Sequence, residues 1–275
     1  MKKTSYLQKC LYLSCEQLYL LTCDEHSHGL PSIRTSFGAL TRKARKIIQP
    51  DGEIKSNIHQ LLQLVYGDWD FESDPELAMH PNGFALDFML HNKMGSPYTL
   101  AALVLYLADK LALPLYPVLF VDELILRAQV GAEVAFIDPW NGQYLSDKDL
   151  QVRLEGMLGF GFELNQDYLA ICSADKLCDH FYARARQALM FNGLILEAYK
   201  LVEYQLALQP ADFNLLRDRA FVLLQMGVLH SAEKDFLRLL EMSGESTDQK
   251  NTEILAGLAA LRFELAGQTH HYQLH

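Results

Sequence analysis

The stretch HNKMGSPYTLAALVLYLADKLALPLYPV, residues 91–118, sets a glycine, a hydroxyl residue and a proline ahead of a long apolar run. Ser96 is placed where the positive end of a helix dipole would favour an anionic nucleophile. A serine stays a weak nucleophile until a base takes its proton. Lys93 lies close enough in sequence to make a Ser–Lys dyad. The same residues also make an ordinary helix start: serine is a favoured N-cap, and proline loses nothing at the first helical position. Thiol and imidazole chemistry is thin around this stretch. The five cysteines are Cys10, Cys15, Cys23, Cys172 and Cys178, so none falls between Cys23 and Cys172. No histidine falls between His91 and Cys178. The fold core is therefore expected to lack both groups. Cys15, Cys23, His26 and His28 fit no closed zinc spacing, so neither metal nor cofactor is expected. The terminal HHYQLH reads as an exposed tail.

The elements around these residues must place them. A chain of 275 residues suits two packed units. The net charge of −10 argues against nucleic-acid or anionic-membrane partners, which would repel it. An odd cysteine count is no disulfide framework and suggests free thiols in a reducing compartment. The opening MKK is followed by Gln8, Lys9, Glu16 and Gln17, which spoil a signal-peptide core. No window approaches ~18 uncharged apolar residues. The expectation is a cytoplasmic protein.

Helical spacing covers residues 5–23, about 34–48, and SNIHQLLQLVYGDWDF, where Ile58, Leu61, Leu62 and Val65 share a face and Gly67 is expected to end the helix. The TRKARK run reads as a solvated face. DWDFESDPE is acidic, but Ser73 and Met79 stand where a calcium loop needs its glycine and its bidentate glutamate, so an exposed acidic loop is expected. From Thr99 to Leu111 the chain is apolar all round, which predicts a buried helix, closed off by Pro114 and Pro117. LYPVLFV, ELILRAQV and EVAFID then read as strands, with Gly131 in the last turn and Asn141-Gly142 turning the chain away. Asp138 precedes a proline and suits a structural turn cap. Trp69 and Trp140 suit a core or rim.

From about residue 178 the pattern is helical and repeats. Gly193 and Gly227 are 34 residues apart, as are Ala198 and Ala232, and Leu206 and Leu240. A turn glycine, an alanine five residues on and Pro210 after the second helix match the tetratricopeptide pattern. The second copy has Gly244 in place of proline. Residues 252–266 look like a capping helix.

A helix opening at GSP, then an antiparallel sheet, then FIDPWNG resembles the transglutaminase-like fold. With repeats behind it, the chain is similar to the bacterial SirB-type family. YGDWDF (66–71), LHNKMGSP (90–97), LPLYPVLF (113–120), LILR (124–127), FIDPWNG (136–142) and RDRA (217–220) carry the resemblance. It implies an α+β transglutaminase-like (cysteine-proteinase-like) domain over 1–165, followed by an all-α tetratricopeptide-like repeat domain over 175–270. Active members use a Cys–His–Asp triad. Against it, Ser96 falls at or within one residue of the cysteine, Glu123 at the histidine and Asp138 at the aspartate. The expected protein is a degenerate, non-catalytic interaction or regulatory factor that binds a protein or peptide through a cleft near Trp69, Asn92, Trp140 and Asn141 and through the concave helical surface of the repeats. The alternative is a residual hydrolase or acyltransferase with Ser96 as nucleophile and Lys93 or Glu123 as base.

Overall fold

The computed structural model describes residues 2–23, 29–243, 252 and 254–262. His26, His28, Gly244 and the HHYQLH tail lie outside them, as do residues 253 and 263–266 of the expected capping helix. The chain divides into two units, 1–188 and 189–275.

The first unit opens with α1 (Lys2–Thr22) and α2 (Gly29–Ile47). Next comes α3 (Ile54–Leu62), which loosens into a wide π turn over Gln63–Asp68. The helical run ends at Asp68, one residue past the expected stop at Gly67. The glycine sits inside the wide turn, where a Cβ would come within 2.1 Å of the Gln63 side chain. The acidic stretch that follows contains β1 (Glu72–Ser73). Then come α4 (Leu86–Asn92), β2 (Met94–Gly95) and α5 (Pro97–Leu111). β1 and β2 pair in parallel, Ser73 opposite Gly95, so the acidic loop is tied to the residue that precedes Ser96.

The helix α5 is the core of this unit. Leu100, Leu103, Val104, Leu105 and Leu107 are fully buried, as its all-round apolarity requires. Burial of each such side chain contributes about 1.5–3 kcal/mol. The helix ends on Ala112, in the left-handed region at φ 56°. Gln8 of α1 is buried, and its amide donates to the carbonyls of Leu113 (2.8 Å) and Leu115 (2.9 Å), satisfying two acceptors at the exit from α5.

Four antiparallel strands follow in sequential order: β3 (Leu115–Phe120), β4 (Glu123–Val130), β5 (Glu133–Ile137) and β6 (Tyr144–Leu145). Gly131 turns β4 into β5 at φ 64°. Asn141-Gly142 does not lead the chain away as expected. Gly142 (φ 72°) closes a hairpin, and Tyr144 returns opposite Ile137. α6 (Asp147–Leu158) starts from a capping box between Ser146 and Asp149 and buries Leu150 and Leu154 beside Val118, Phe120 and Ile125 of the sheet. α7 (Ala174–Phe191) follows.

The second unit contains α8 (Ile195–Leu208), α9 (Phe213–Gln225) and α10 (Leu229–Ser243), with residues 254–262 helical. Its core joins Val202, Leu216, Leu223, Phe236, Ile254 and Leu261. Arg219 of α9 donates to both carboxylate oxygens of Asp235 on α10 (2.6 and 2.7 Å) and to Glu203 on α8 (3.0 Å).

Candidate functional site

Ser96 caps α5 and is fully buried. Its hydroxyl accepts from the Tyr98 N–H (3.3 Å) and donates to the Gly83 carbonyl (2.5 Å). That carbonyl also accepts from the Ser96 N–H (3.3 Å) and the Thr99 hydroxyl (3.1 Å). Glycine at 83 and 95 permits this approach. A Cβ on Gly83 would stand 2.0 Å from the Leu77 carbonyl oxygen, and one on Gly95 would stand 2.4 Å from Thr99 Oγ1. The hydroxyl thus has one donor and one acceptor role, both filled by its own helix start and by the loop beneath it.

The candidate partners are engaged elsewhere. Lys93 ends α4 at φ 60° and lays its ammonium over the Phe71 ring, 4.0 Å from the centroid. Burial, then the nearby Lys43, lower its pKa. Glu123 is half exposed, and its carboxylate lies 3.6 Å from Arg153. Asp138 is buried and accepts from the same Arg153 and from the Trp140 N–H (2.9 Å). Its backbone carbonyl accepts from Gly142 N–H (2.8 Å). Tyr66 donates to the Pro139 carbonyl (3.0 Å); burial raises the pKa of its hydroxyl, and the charge of Asp138 adds to the effect. Glu123 and Asp138 therefore meet at one arginine on α6 that sequence reasoning missed. Among the described residues neither hydrogen-bonds Ser96, and nor does Lys93.

Sequence reasoning also missed an imidazole. His180 stands on α7, beyond the histidine-free span, and is half-buried. Its Nε2 lies 3.0 Å from Asp122, and its Nδ1 lies 3.4 Å from the hydroxyl of Tyr98, two residues past Ser96. Phe84 stacks on Tyr98 at 5.7 Å, and Phe181 meets both rings edge-on. Burial lowers the pKa of His180, against the pull of Asp122. Burial likewise pushes the Tyr98 hydroxyl up to about 12. Arg184, one helical turn past His180, also binds Asp122. Asp122 is held on a tight turn in which Val121 takes φ 57°, a conformation rarely adopted by a β-branched residue. The result is a Tyr–His–Asp chain of hydrogen bonds that closes α7 over the start of α5. The sequence signal was the pair His180 and Arg184 at helical i, i+4 spacing, facing an aspartate in a turn.

Trp69 and Trp140 are half-buried, and Asn92 and Asn141 are exposed. The Asn92 amide caps Phe88 O (3.0 Å), and Asn141 accepts from Gln143 N–H (2.9 Å). Two surface hollows lie elsewhere. One, of about 570 Å³, is lined by Thr4, Leu7, Tyr116, Gln129, Gly131 and Ile171. The other, of about 230 Å³, lies beside Ile58, Val130, Val134 and Tyr144. Among the described residues, no group of three or more His, Cys, Asp or Glu side chains is arranged to hold a metal ion. Among them, too, no helix is long and apolar enough to cross a membrane.

Comparison with known proteins fits this arrangement. Residues 32–182 match the profile described as "Transglutaminase-like superfamily". A UPF0162 protein of Pasteurella multocida is 40% identical over 84% of this chain and 88% of its own length. One from Haemophilus influenzae is 41% identical over 84% of this chain and 86% of its own. Protein SirB1 of Salmonella typhimurium is 30% identical over 68% of this chain and 70% of its own. No solved structure matches significantly. On the profile match and these relatives, the chain belongs to the transglutaminase-like superfamily, in the group that holds the UPF0162 and SirB1 proteins.

Proposed function

We propose that this chain is a non-catalytic member of its superfamily and acts in the cytoplasm by binding a protein or peptide partner. One observation carries the reading. Ser96 stands at the start of the core helix with no exposed surface and with its hydroxyl donating to Gly83 O. A serine nucleophile needs a base to take its proton and room for a substrate. Here the proton goes to a backbone carbonyl, no base in the described residues bonds the hydroxyl, and the side chain has no exposed surface for a substrate to reach.

The binding surface is assigned to a tetratricopeptide-like domain over 175–270, behind a transglutaminase-like domain over 1–165. Supporting this, Gly193 and Gly227 take matching φ values of 74° and 73° in turns one period apart. Ala198 and Ala232 are both fully buried, as close helix approach requires. Exposed Leu196 and Leu208 on α8 and Leu237 on α10 offer apolar surface to a partner. The negative charge favours a basic or neutral partner over nucleic acid.

Two measurements test the proposal. A fluorophosphonate probe and a p-nitrophenyl ester are offered to the native chain and to Ser96→Ala. The expected result is no adduct on Ser96 and equal, background hydrolysis; a Ser96 adduct overturns the non-catalytic reading. In affinity capture, the full chain retains a stoichiometric partner that the doubly substituted Leu196→Glu, Leu237→Glu chain loses. Equal retention by both, or none by either, overturns the binding reading.

A further inference from the structure

Arg127, half-buried in the middle of β4, is a cation that no anion meets. Arg34, Arg153, Arg184 and Arg219 each bond a carboxylate. The chain carries 34 Asp and Glu side chains, yet among the described residues none pairs with Arg127. Its Nη1 donates to the Leu169 carbonyl (2.9 Å), and its Nε is buried without a partner. A guanidinium drawn partly out of water is costly to the fold unless an anion or further acceptors compensate it.

The strand register sets polar groups and a hollow beside this cation. Tyr116 of β3 lies directly opposite Arg127, and Gln129 stands two residues further along β4, so the three share one face of the sheet. Tyr116 and Gln129 line the hollow of about 570 Å³, together with Thr4, Leu7, Gly131 and Ile171. Ile171 follows Leu169 by two residues, and this loop is pinned to β3 where the Cys172 N–H donates to Pro117 O (3.1 Å). Arg127 therefore bonds the loop that forms one wall of the hollow and stands across from the tyrosine of another. The Tyr116 hydroxyl and the Gln129 side-chain amide make no hydrogen bond among the described residues, which leaves both free to meet a ligand.

We propose that this hollow binds a monocarboxylate with a short apolar body, its carboxylate seated on Arg127 with donors from Tyr116 and Gln129, and its apolar part against Leu7 and Ile171. The volume falls in the range of about 300–1,000 Å³ usual for small-ligand sites. A single planar guanidinium, with no lysine in the lining, matches a planar carboxylate of one charge better than a phosphate dianion. A free aliphatic acid offers this chemistry, and so does the C-terminal carboxylate of a polypeptide ending in an apolar residue. Every residue of the site lies in the first unit, so the inference is independent of the repeat surface.

The full chain, labelled with nitrogen-15, is titrated at neutral pH with four probes: sodium hexanoate, N-acetyl-Gly-Ala-Leu as the free acid, the C-terminal amide of that peptide, and inorganic phosphate. The Arg127 Nε–Hε resonance, assigned by its loss in Arg127→Gln, reports binding, and saturation transfer to the probe reports it in the variants. A saturable shift is expected with hexanoate, the peptide acid or both, and none with the amide or phosphate. A response to hexanoate alone assigns the site to free acids, and a response to the peptide alone assigns it to polypeptide C-termini. Arg127→Gln should weaken binding about tenfold or more, and Tyr116→Phe about two- to tenfold. Should Arg127→Gln prove unfolded by circular dichroism, equal affinity in Tyr116→Phe overturns the inference in its place. It is also overturned if neither acid shifts the resonance up to about 10 mM, the result expected of an arginine that only ties the loop to the sheet. Binding of the amide or of phosphate as tight as that of the acids, or undiminished binding to a folded Arg127→Gln, overturns it as well.

Discussion

Replacing Ser96 by alanine separates a structural hydroxyl from a chemical one. The substitution removes the N-cap of α5, a loss of about 1 kcal/mol. It also removes the neutral hydrogen bond to Gly83 O, about 0.5–1.5 kcal/mol more. The Gly83 carbonyl is not orphaned, because Thr99 Oγ1 and the Ser96 N–H still donate to it. The expected total is therefore about 2 kcal/mol, with no further penalty for an unpaired buried acceptor. Thr99→Val removes the other side-chain donor and should cost about 1 kcal/mol alone. With both changes, only the 3.3 Å bond from the Ser96 N–H remains. The double variant should then exceed the sum by about 0.5–1.5 kcal/mol. Urea unfolding followed by tryptophan emission reads this directly, since the two tryptophans, Trp69 and Trp140, both lie in the first unit. The midpoint should fall while the denaturant slope holds. A neutral Ser96→Ala, or an additive pair, would mean that the hydroxyl is not clamped over Gly83.

Two further outcomes are expected. Burial lowers the pKa of His180, so its unfolded form binds a proton at higher pH than its folded form. Stability is therefore lost as pH falls from about 6.5 through the folded pKa. The charged groups on the ring, Asp122, Arg184 and Lys176, remain in place in His180→Gln, so that variant should show a shallower acid loss in the same urea assay. An unchanged slope would show that the ring is not held neutral. In the second unit, Arg219→Ala strips two hydrogen bonds from buried Asp235. The cost should be about 2–3 kcal/mol, below the full buried-pair figure because the Arg219 side chain is a quarter exposed. Amide hydrogen exchange across residues 213–225 should accelerate accordingly; unchanged exchange would refute the pairing.

What could be read from the sequence, and what could not, follows the range of the interactions involved. The Ser96 cap, the Pro97 start, the all-round burial of α5 and the Gly131 turn each depend on residues within a turn or two, and each is legible locally. The widening into a π turn before Gly67 and the hairpin at Gly142 were not legible for the same reason in reverse. A glycine signals only that the backbone there is unusual, and the side chain that fills the space (Gln63 in one case, Tyr66 in the other) decides its role. The candidate site depended on contacts of longer range. Arg153 collects carboxylates 30 and 15 residues upstream, and His180 reaches a tyrosine 82 residues away. No periodicity encodes such pairings. A search for a triad by family position therefore found Ser96, Glu123 and Asp138 but had no means of seeing that an arginine ties up the two carboxylates. A half-buried imidazole, His180, stands on a helix beyond the histidine-free span and meets Tyr98 rather than Ser96. Family position therefore names Ser96 as a candidate only; that its proton is directed at Gly83 O and its oxygen receives the Tyr98 N–H are contacts no sequence period encodes.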